Sequence, residues 1–126
     1  MEGPGYFMQL TIVADIAEGT MLVDEEQFCP ILPIIRFTSE DDAVTRANAS
    51  RYGLAGSVWS GDIARGRKLA ERLDTGMVWL NKYGDLAPHL PFVGAKQSGI
   101  GVEYGEDGLL EFTQTHVVNE PPVAPA

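Results

Sequence analysis

Two adjacent carboxylates and an aromatic ring stand directly before a strongly apolar stretch of this chain. Glu25 and Glu26 are followed by Phe28 and Cys29, and residues 31–37 are then almost wholly apolar. Acceptor oxygens and a flat apolar ring placed just ahead of a buried strand are suited to the rim of a ligand crevice. Neighbouring residues of an extended segment point to opposite faces, so the two glutamates are not expected to share a proton as an acid-base pair.

The elements that must position this segment alternate between strand and helix patterns. The predicted strands are residues 6–13, 31–37, 54–59 and 77–80. One predicted helix begins at Ser39 and the next at the turn and cap of residues 60–62, and glycines 53 and 76 are expected to end them. Short connections of this kind predict right-handed crossovers and a parallel sheet of at least three strands, a βαβαβ unit of an α/β fold flanked by helices. Pro33 is an objection to a central strand at 31–37, because it cannot donate to a strand ladder.

Asn81 closes the last of these strands and opens a long loop, residues 82–101, that is rich in Gly and Pro. Ligands bind at the carboxyl ends of parallel strands, which makes Asn81 a candidate for lining a pocket. The alternative is that its amide satisfies backbone groups in the turn. Loops of this length are usually functional or disordered.

Four motifs carry a resemblance to a known family. Residues 25–30 are similar to the Glu-Glu-x-Phe-Gly-Pro motif of the NAD(P)-dependent aldehyde dehydrogenases, with Cys29 in place of glycine. Residues 91–101 resemble that family's Pro-Phe-Gly-Gly-x-Lys-x-Ser-Gly-x-Gly, with Val93 replacing a glycine. Residues 3–11 resemble its Gly-x-Gly-Tyr-Phe-x-x-Pro-Thr, and residues 103–113 resemble its next helix. The motifs occur in family order across residues 3–119.

The resemblance implies the C-terminal part of an aldehyde dehydrogenase. Residues 1–112 would be part of the catalytic domain, residues 113–120 an oligomerisation strand, and residues 121–126 a disordered tail. The alternation within residues 113–119, which include Val117 and Val118, also favours a strand there. The family's nucleotide-binding domain and its cysteine nucleophile would lie upstream of residue 1, in a much longer enzyme. No catalytic residue is therefore expected within this chain.

The resemblance also assigns roles to single residues. Glu26 corresponds to the carboxylate that accepts hydrogen bonds from the nicotinamide ribose hydroxyls, and Phe28 to the aromatic beside the nicotinamide ring. Phe92 corresponds to an aromatic that lines the substrate tunnel, and Asn81 would border the same pocket. Each also has a structural interpretation: a solvated acid for Glu26, a core aromatic for Phe28 and a loop anchor for Phe92. Lys96 and Ser98 are expected to shape the glycine-rich loop.

Two functions of different class follow. In the first, the chain belongs to an enzyme that oxidises an aldehyde to a carboxylic acid with NAD or NADP, through a cysteine thiohemiacetal and thioester. The isolated chain is then expected to be inactive, to bind no cofactor by itself, and to meet the aldehyde only within a full-length enzyme. In the second, it is a truncated, non-catalytic oligomerisation or interaction module. In both cases we expect self-association into a homodimer or larger assembly.

Composition argues against several other classes. The net charge of −9 disfavours nucleic acid and anionic membranes as partners. A single cysteine excludes an internal disulfide, and no His or Cys has metal-ligand spacing, with His89 and His116 far apart. Cys29 has no neighbouring His or Lys and is interpreted as a small hydrophobe rather than a nucleophile. The N-terminal residues do not resemble a secretory signal, and we expect a cytoplasmic protein without a membrane span.

Overall fold

The computed structural model describes residues 3–122, and the chain forms two compact units. These are the N-terminal unit, Met1–Ser50, and the C-terminal unit, Arg51–Ala126. The strands are β1 Thr11–Val13, β2 Ile31–Pro33, β3 Tyr52–Gly53, β4 Ala55–Val58, β5 Met77–Leu80, β6 Phe92–Val93, β7 Ala95–Lys96 and β8 Val102–Glu103. The helices are α1 Met21–Asp24, α2 Glu40–Asn48, α3 Ile63–Ala70 and α4 Gly105–Leu110.

The N-terminal unit is built on the parallel pair of β1 and β2. Thr11 lies opposite Ile31, and Val13 lies opposite Pro33. Pro33 ends β2, and the next residue restores the ladder, since the Ile34 N–H donates to the Val13 carbonyl at 2.8 Å. The proline therefore stands at the end of a strand, where the missing N–H is tolerated.

Helix α2 follows with the N-cap that the sequence predicts. Ser39 has extended dihedral angles, and its hydroxyl accepts a hydrogen bond from the Asp42 N–H at 3.1 Å. The first turn also carries Glu40, Asp41 and Asp42, whose negative charges are favourable at the positive end of the helix dipole.

The C-terminal unit is built on the parallel pair of β4 and β5, which α3 connects. All four residues of each strand pair in register, from Ala55 opposite Met77 to Val58 opposite Leu80. Asp62 caps α3 by accepting a hydrogen bond from the Arg65 N–H at 3.1 Å. Gly66 is the buried residue of α3, and an added Cβ there would lie at ordinary van der Waals distance, 3.5 Å, from the Leu80 side chain. Helix α3 therefore packs against the strand pair through this position.

The loop after β5 contains two short strands and is therefore ordered in part. Strand β7 pairs antiparallel with β3, and β6 pairs antiparallel with β8. Gly105 starts α4 at a φ of +65°, a backbone conformation that favours glycine, and its N–H donates to the Pro88 carbonyl at 2.9 Å.

Trp79 is the centre of the C-terminal unit. Its side chain is 7% exposed, and it is the one large hydrophobic residue buried among residues 3–122. The indole N–H donates to the Asp85 carbonyl at 2.8 Å, and the Tyr83 ring meets it edge-on at 5.5 Å between centroids. A buried indole with a satisfied N–H is the arrangement expected of a core tryptophan.

Most other large apolar side chains are open to solvent. Exposed examples are Tyr6, Phe7, Leu10, Ile12, Phe28, Leu32, Phe37, Ile100, Phe112, Val117 and Val118. A large apolar surface is thus left uncovered by the chain itself.

The α/β class is confirmed, but several predicted details are wrong. The first two strands are shorter than predicted, and the parallel strands form two separate pairs rather than one sheet of three. Leu32 and Phe37 are exposed, so residues 31–37 are not a strand covered on both faces. In the described chain β2 has one hydrogen-bonded neighbour, β1, and a strand needs neighbours on both edges to become central.

The two glycines predicted to end helices have a different role. Helix α2 ends at Asn48 and α3 at Ala70, well before Gly53 and Gly76. An added Cβ at Gly53 would lie 2.8 Å from the Asp74 carbonyl, and one at Gly76 would overlap the Val93 carbonyl. Both positions require glycine because another backbone segment passes too close for any side chain.

The predicted C-terminal strand is not formed. Residues 114–122 have no regular secondary structure, although Val117 and Val118 keep the apolar character that suggested a strand. A strand without a neighbour leaves its N–H and C=O groups unpaired, which accounts for the difference. The predicted disordered tail lies partly outside the described residues, at 123–126. No helix within residues 3–122 has the length and apolar character needed to cross a membrane.

Candidate functional site

The predicted cofactor residues lie on an irregular segment between α1 and β2. Residues 26–28 belong to no helix or strand, and Glu26 and Phe28 are both exposed. The Phe28 side chain has a relative exposure of 107%, so nothing in the chain covers its ring. This excludes the core-aromatic interpretation of Phe28 for the chain as it stands.

Hydrogen bonds attach this segment to α1 and to β1. The Gln27 side-chain amide donates to the Leu22 carbonyl of α1 at 3.0 Å. The Thr11 N–H donates to the Pro30 carbonyl at 2.9 Å and so joins the segment's end to β1. The segment is therefore exposed and attached at the same time.

The Glu26 carboxylate is open to a ligand. It makes no hydrogen bond or ion pair with any other part of the chain that the structure describes. Both of its oxygens can accept hydrogen bonds from hydroxyl groups, and the exposed Phe28 ring offers a flat apolar surface two residues away. These acceptor oxygens and this apolar ring fit the nicotinamide-ribose end of NAD(P), for which the chain would supply Glu26 and Phe28.

Asn81, in contrast, is committed to the protein backbone. Its side-chain oxygen accepts from the Ser60 N–H at 2.7 Å, and its amide nitrogen donates to the Ser60 carbonyl at 2.8 Å. Asn81 has a φ of +52°, a conformation that asparagine tolerates better than most residues. The structure thus supports the backbone-satisfying interpretation, and the pocket-lining role of Asn81 stays a prediction.

Phe92 lies in β6, opposite Glu103 of β8, and is half-buried. A half-buried strand residue fits both alternatives, the loop anchor and the wall of a pocket. Its role in the substrate tunnel also stays a prediction. Phe92 and Asn81 lie in the C-terminal unit, whereas Glu26 and Phe28 lie in the N-terminal unit.

The glycine-rich loop is shaped by the residues expected to do so. The Ser98 hydroxyl accepts a hydrogen bond from the Gly53 N–H at 3.0 Å, and the Lys96 ammonium pairs with the Asp74 carboxylate at 3.3 Å. Gly94 approaches the Ser98 carbonyl so closely that an added Cβ would lie 2.7 Å from its oxygen. These contacts tie the loop to β3 and to the turn before β5.

Sequence reasoning missed a side chain with several partners in the N-terminal unit, Arg46 of α2. Its guanidinium donates to both oxygens of Glu18, at 2.6 and 2.8 Å, and to the Arg36 carbonyl at 2.7 Å. The hydrogen bond from Arg46 holds the pKa of Glu18 below its ordinary value. The spacing of Asp42 and Arg46, four residues apart on a helix, was the available signal, but Glu18 is 28 residues away.

No cluster of metal ligands or nucleophiles accompanies these residues. Within residues 3–122 no three His, Cys, Asp or Glu side chains converge as a metal site would require. Cys29 is a free, exposed thiol.

Comparison with known proteins places this geometry in a family. Residues 1–118 match the aldehyde dehydrogenase family. Over 117 residues the chain is 47% identical to the NADP(+) succinate-semialdehyde dehydrogenase of Deinococcus radiodurans, covering 93% of this chain and 24% of that protein. Over 118 residues it is 37% identical to a betaine aldehyde dehydrogenase of Rhizobium etli, covering 94% of this chain and 24% of that protein.

Solved structures agree with these relatives. An aldehyde dehydrogenase of Mycobacterium tuberculosis, complexed with NAD+, has a TM-score of 0.83 at 44% identity, covering 87% of this chain and 23% of that one. A betaine aldehyde dehydrogenase of Staphylococcus aureus, also with NAD+, has a TM-score of 0.77 at 39% identity, covering 80% of this chain and 20% of that one. The chain spans about a quarter of the length of the curated relatives it matches. On this match and on the motifs at residues 25–30 and 91–101, the chain belongs to the aldehyde dehydrogenase family.

Proposed function

We propose that this chain supplies the nicotinamide-side cofactor contact, and part of the substrate pocket, for NAD(P)-dependent oxidation of an aldehyde. The observation that carries the proposal is the exposed, unpaired Glu26 carboxylate beside the fully exposed Phe28 ring, within the family's own motif. The family match over residues 1–118 supplies the reaction class. A cytoplasmic setting is part of the same proposal.

The roles of the residues follow from their chemistry. NAD(P)+, when bound, would supply the hydride acceptor for the oxidation. The Glu26 oxygens would accept hydrogen bonds from the ribose hydroxyls, and the Phe28 ring would offer the nicotinamide an apolar surface. Phe92 and Asn81 would contribute to the substrate pocket. Holding the reacting groups in a fixed geometry accounts for a large share of catalysis, so residues that touch no reacting atom still affect the rate.

Cofactor binding by the isolated chain tests the first step. Glu26 and Phe28 would contact only one end of NAD+. Its phosphates usually bind at a Gly-rich turn that begins a long helix, and neither of the two longer helices, α2 and α3, begins at such a turn. We expect NAD+ to bind no tighter than roughly millimolar, about 4 kcal/mol. Calorimetry measures this directly, with Glu26→Gln as the control that removes one acceptor. Micromolar binding that survives this substitution would contradict the proposed contact.

Turnover by the isolated chain tests the second step. The nucleophile of the family mechanism corresponds to no residue between 1 and 126, and loss of a nucleophile removes many orders of magnitude of rate. Neither the chain nor Cys29→Ala should form NAD(P)H above the buffer rate with any aldehyde. Turnover that disappears in Cys29→Ala would assign the nucleophile to Cys29 instead.

Self-association is a second candidate function, supported by a different observation. Large apolar side chains such as Ile12, Leu32 and Phe112 are exposed within the described residues, and exposed apolar patches mark surfaces that contact other protein. Residues 114–122 offer unpaired backbone groups to a second chain. We infer that the isolated chain forms a homodimer or larger assembly, in which strand edges of one copy pair with those of another.

Light scattering tests the assembly. Deleting residues 113–126 should shift the protein toward monomer or insoluble aggregate, because the segment that pairs between chains is lost. A stable 13.7 kDa monomer at high concentration, with unchanged solubility after the deletion, would show that the chain does not need a second copy.

A further inference from the structure

One guanidinium in the N-terminal unit joins three separate parts of the chain. Arg46 of α2 donates to both carboxylate oxygens of Glu18 and to the backbone carbonyl of Arg36. It also lies 3.5 Å from the Asp42 carboxylate, one turn earlier on the same helix. We call these four residues the Arg46 clamp.

The clamp brackets the candidate site in the sequence. Glu18 precedes α1, and Arg36 follows β2, so residues 25–30 lie on the stretch between the two anchor points. Within that stretch, the Gly19 N–H donates to the Asp24 carboxylate at 2.8 Å, which links the Glu18 loop to α1. The clamp therefore holds both ends of the stretch that carries Glu26 and Phe28 against α2.

Asp42 adds a further link to the same helix. Its carboxylate accepts from the Thr38 N–H at 2.9 Å and lies within 3.3 Å of the Thr38 hydroxyl. The chain leaving β2 is thus attached to α2 twice, through Arg36 and through Thr38.

The N-terminal unit has no apolar core among its described residues that could hold the segment in place of these polar contacts. No residue between 3 and 50 is buried, and α1 and α2 contain no buried side chain. An isolated surface ion pair contributes little to stability. A bidentate arginine with an additional carbonyl acceptor restricts geometry in several directions at once, and lysine cannot reproduce that fork.

We propose that Arg46 is a positioning residue, which sets the placement of Glu26 and Phe28 through Glu18 and the Arg36 carbonyl. The placement is a property of the chain itself, whereas its consequence for cofactor binding rests on the proposed function. The clamp touches no reacting group and acts only through the segment it holds.

Cys29 provides the probe. It is the only cysteine of the chain, it is exposed, and it directly follows Phe28. A nitroxide label on Cys29 reports the nanosecond motion of residues 25–30 by electron paramagnetic resonance. Arg46→Lys keeps the positive charge but loses the fork, and Glu18→Gln keeps the shape but loses the charge. Arg67→Ala on α3 of the C-terminal unit is the matched control.

We expect label motion in Arg46→Lys and Glu18→Gln to be at least about twofold faster than in the unsubstituted chain, and unchanged in Arg67→Ala. Amide exchange of α2 shows whether the helix itself persists, so that a loosened segment is distinguished from an unfolded unit. Label motion in Arg46→Lys equal to that of the unsubstituted chain would overturn the proposal, whatever Arg46→Ala does.

A second measurement separates this inference from the proposed function. In a chimera that carries this chain in place of the matching quarter of the Deinococcus radiodurans relative, Arg46→Lys should raise the KM for NADP+ about tenfold. An effect of Glu26→Gln without an effect of Arg46→Lys would overturn the clamp and leave the proposed function standing. Faster label motion in Arg46→Lys, with no effect of either substitution on the KM, would support the clamp and contradict the proposed function.

Discussion

The two units of this chain are stabilised in different ways. The C-terminal unit buries Trp79 and three glycines, at positions 53, 66 and 108, where helix or loop backbone approaches a neighbour. The N-terminal unit buries no described residue and is held by strand pairing, a helix cap and the Arg46 clamp. The difference is one between close packing and a network of polar contacts.

This contrast relates directly to function. The residues proposed to contact the cofactor, Glu26 and Phe28, belong to the unit without a core. Binding segments are often drawn from the less stable parts of a protein, because they must stay accessible. The same unit exposes apolar side chains such as Ile12 and Leu32, and surfaces of this kind contact other protein. The C-terminal unit should hence unfold cooperatively, and the N-terminal unit should loosen gradually.

The largest expected effect is on the closest packing of the C-terminal unit. In Gly76→Ala the new Cβ overlaps the Val93 carbonyl, so the backbone must move. We expect a loss of about 3 kcal/mol or more in the free energy of unfolding. Urea denaturation followed by tryptophan fluorescence measures it. The control is Gly61→Ala, where nothing lies within 4 Å of the new Cβ. Equal midpoints for the two variants would contradict the packing account.

The second effect concerns the core tryptophan. Trp79→Phe removes apolar contact area and leaves the Asp85 carbonyl without its donor, which should cost about 2 kcal/mol. Trp59→Phe is the matched control, because the Trp59 side chain is 67% exposed. The same urea titration, monitored by circular dichroism, compares the two. A larger loss for Trp59→Phe would place the core elsewhere.

The third effect compares the two helix caps. Ser39→Ala and Asp62→Ala each remove one side-chain acceptor, at a cost of about 1 kcal/mol. Amide hydrogen exchange should show local loss of α2 in Ser39→Ala, because no packing holds that helix. Helix α3 should persist in Asp62→Ala, since Gly66 packs it against β4 and β5. Equal exchange behaviour would mean that both units have the same kind of stability.

The smallest effect is on the pH dependence of the N-terminal unit. Hydrogen bonds from Arg46 and from the Thr38 N–H hold the pKa values of Glu18 and Asp42 below their ordinary range. A lowered carboxyl pKa in the folded state contributes stability above the ordinary pKa, and that stability is lost as the pH falls through the lowered value.

This contribution to stability is small because the side chains of Glu18, Asp42 and Arg46 are all partly exposed. The Cys29 label should therefore become more mobile only when the pH is lowered from neutral toward about 3. The Glu18→Gln, Asp42→Asn double variant should be mobile at every pH. A mobile label at neutral pH in the unsubstituted chain would contradict the role of the ionised carboxylates in the clamp. The same dependence of label mobility on pH in the double variant would contradict it too.

The sequence predicted those parts of the fold that depend on local chemistry. The caps at Ser39 and Asp62 and the bounds of β5 follow from residue preferences within a few positions, and all three were correct. Gly53 and Gly76 were misassigned as helix ends because a local pattern cannot show which distant backbone segment passes by. Residues 113–119 alternate as a strand does, but a strand also requires a partner, which a single chain does not offer.

The candidate site divides in the same way. Glu26 and Phe28 follow from a motif, and the structure shows them exposed. Asn81 was placed correctly at the end of β5, yet its two hydrogen bonds to Ser60 depend on a turn 21 residues away. The Arg46 clamp spans 28 residues in sequence and has no local signature.

The most direct test of the account is the KM for NADP+ of the chimera with the Deinococcus radiodurans relative. That relative shares 47% identity with this chain, so its remaining three quarters supply a matched framework. The chimera should oxidise succinate semialdehyde, and Glu26→Gln should raise the KM for NADP+ about tenfold with a smaller change for Glu25→Gln. A folded, active chimera whose KM is the same with and without Glu26→Gln would contradict the proposed cofactor contact.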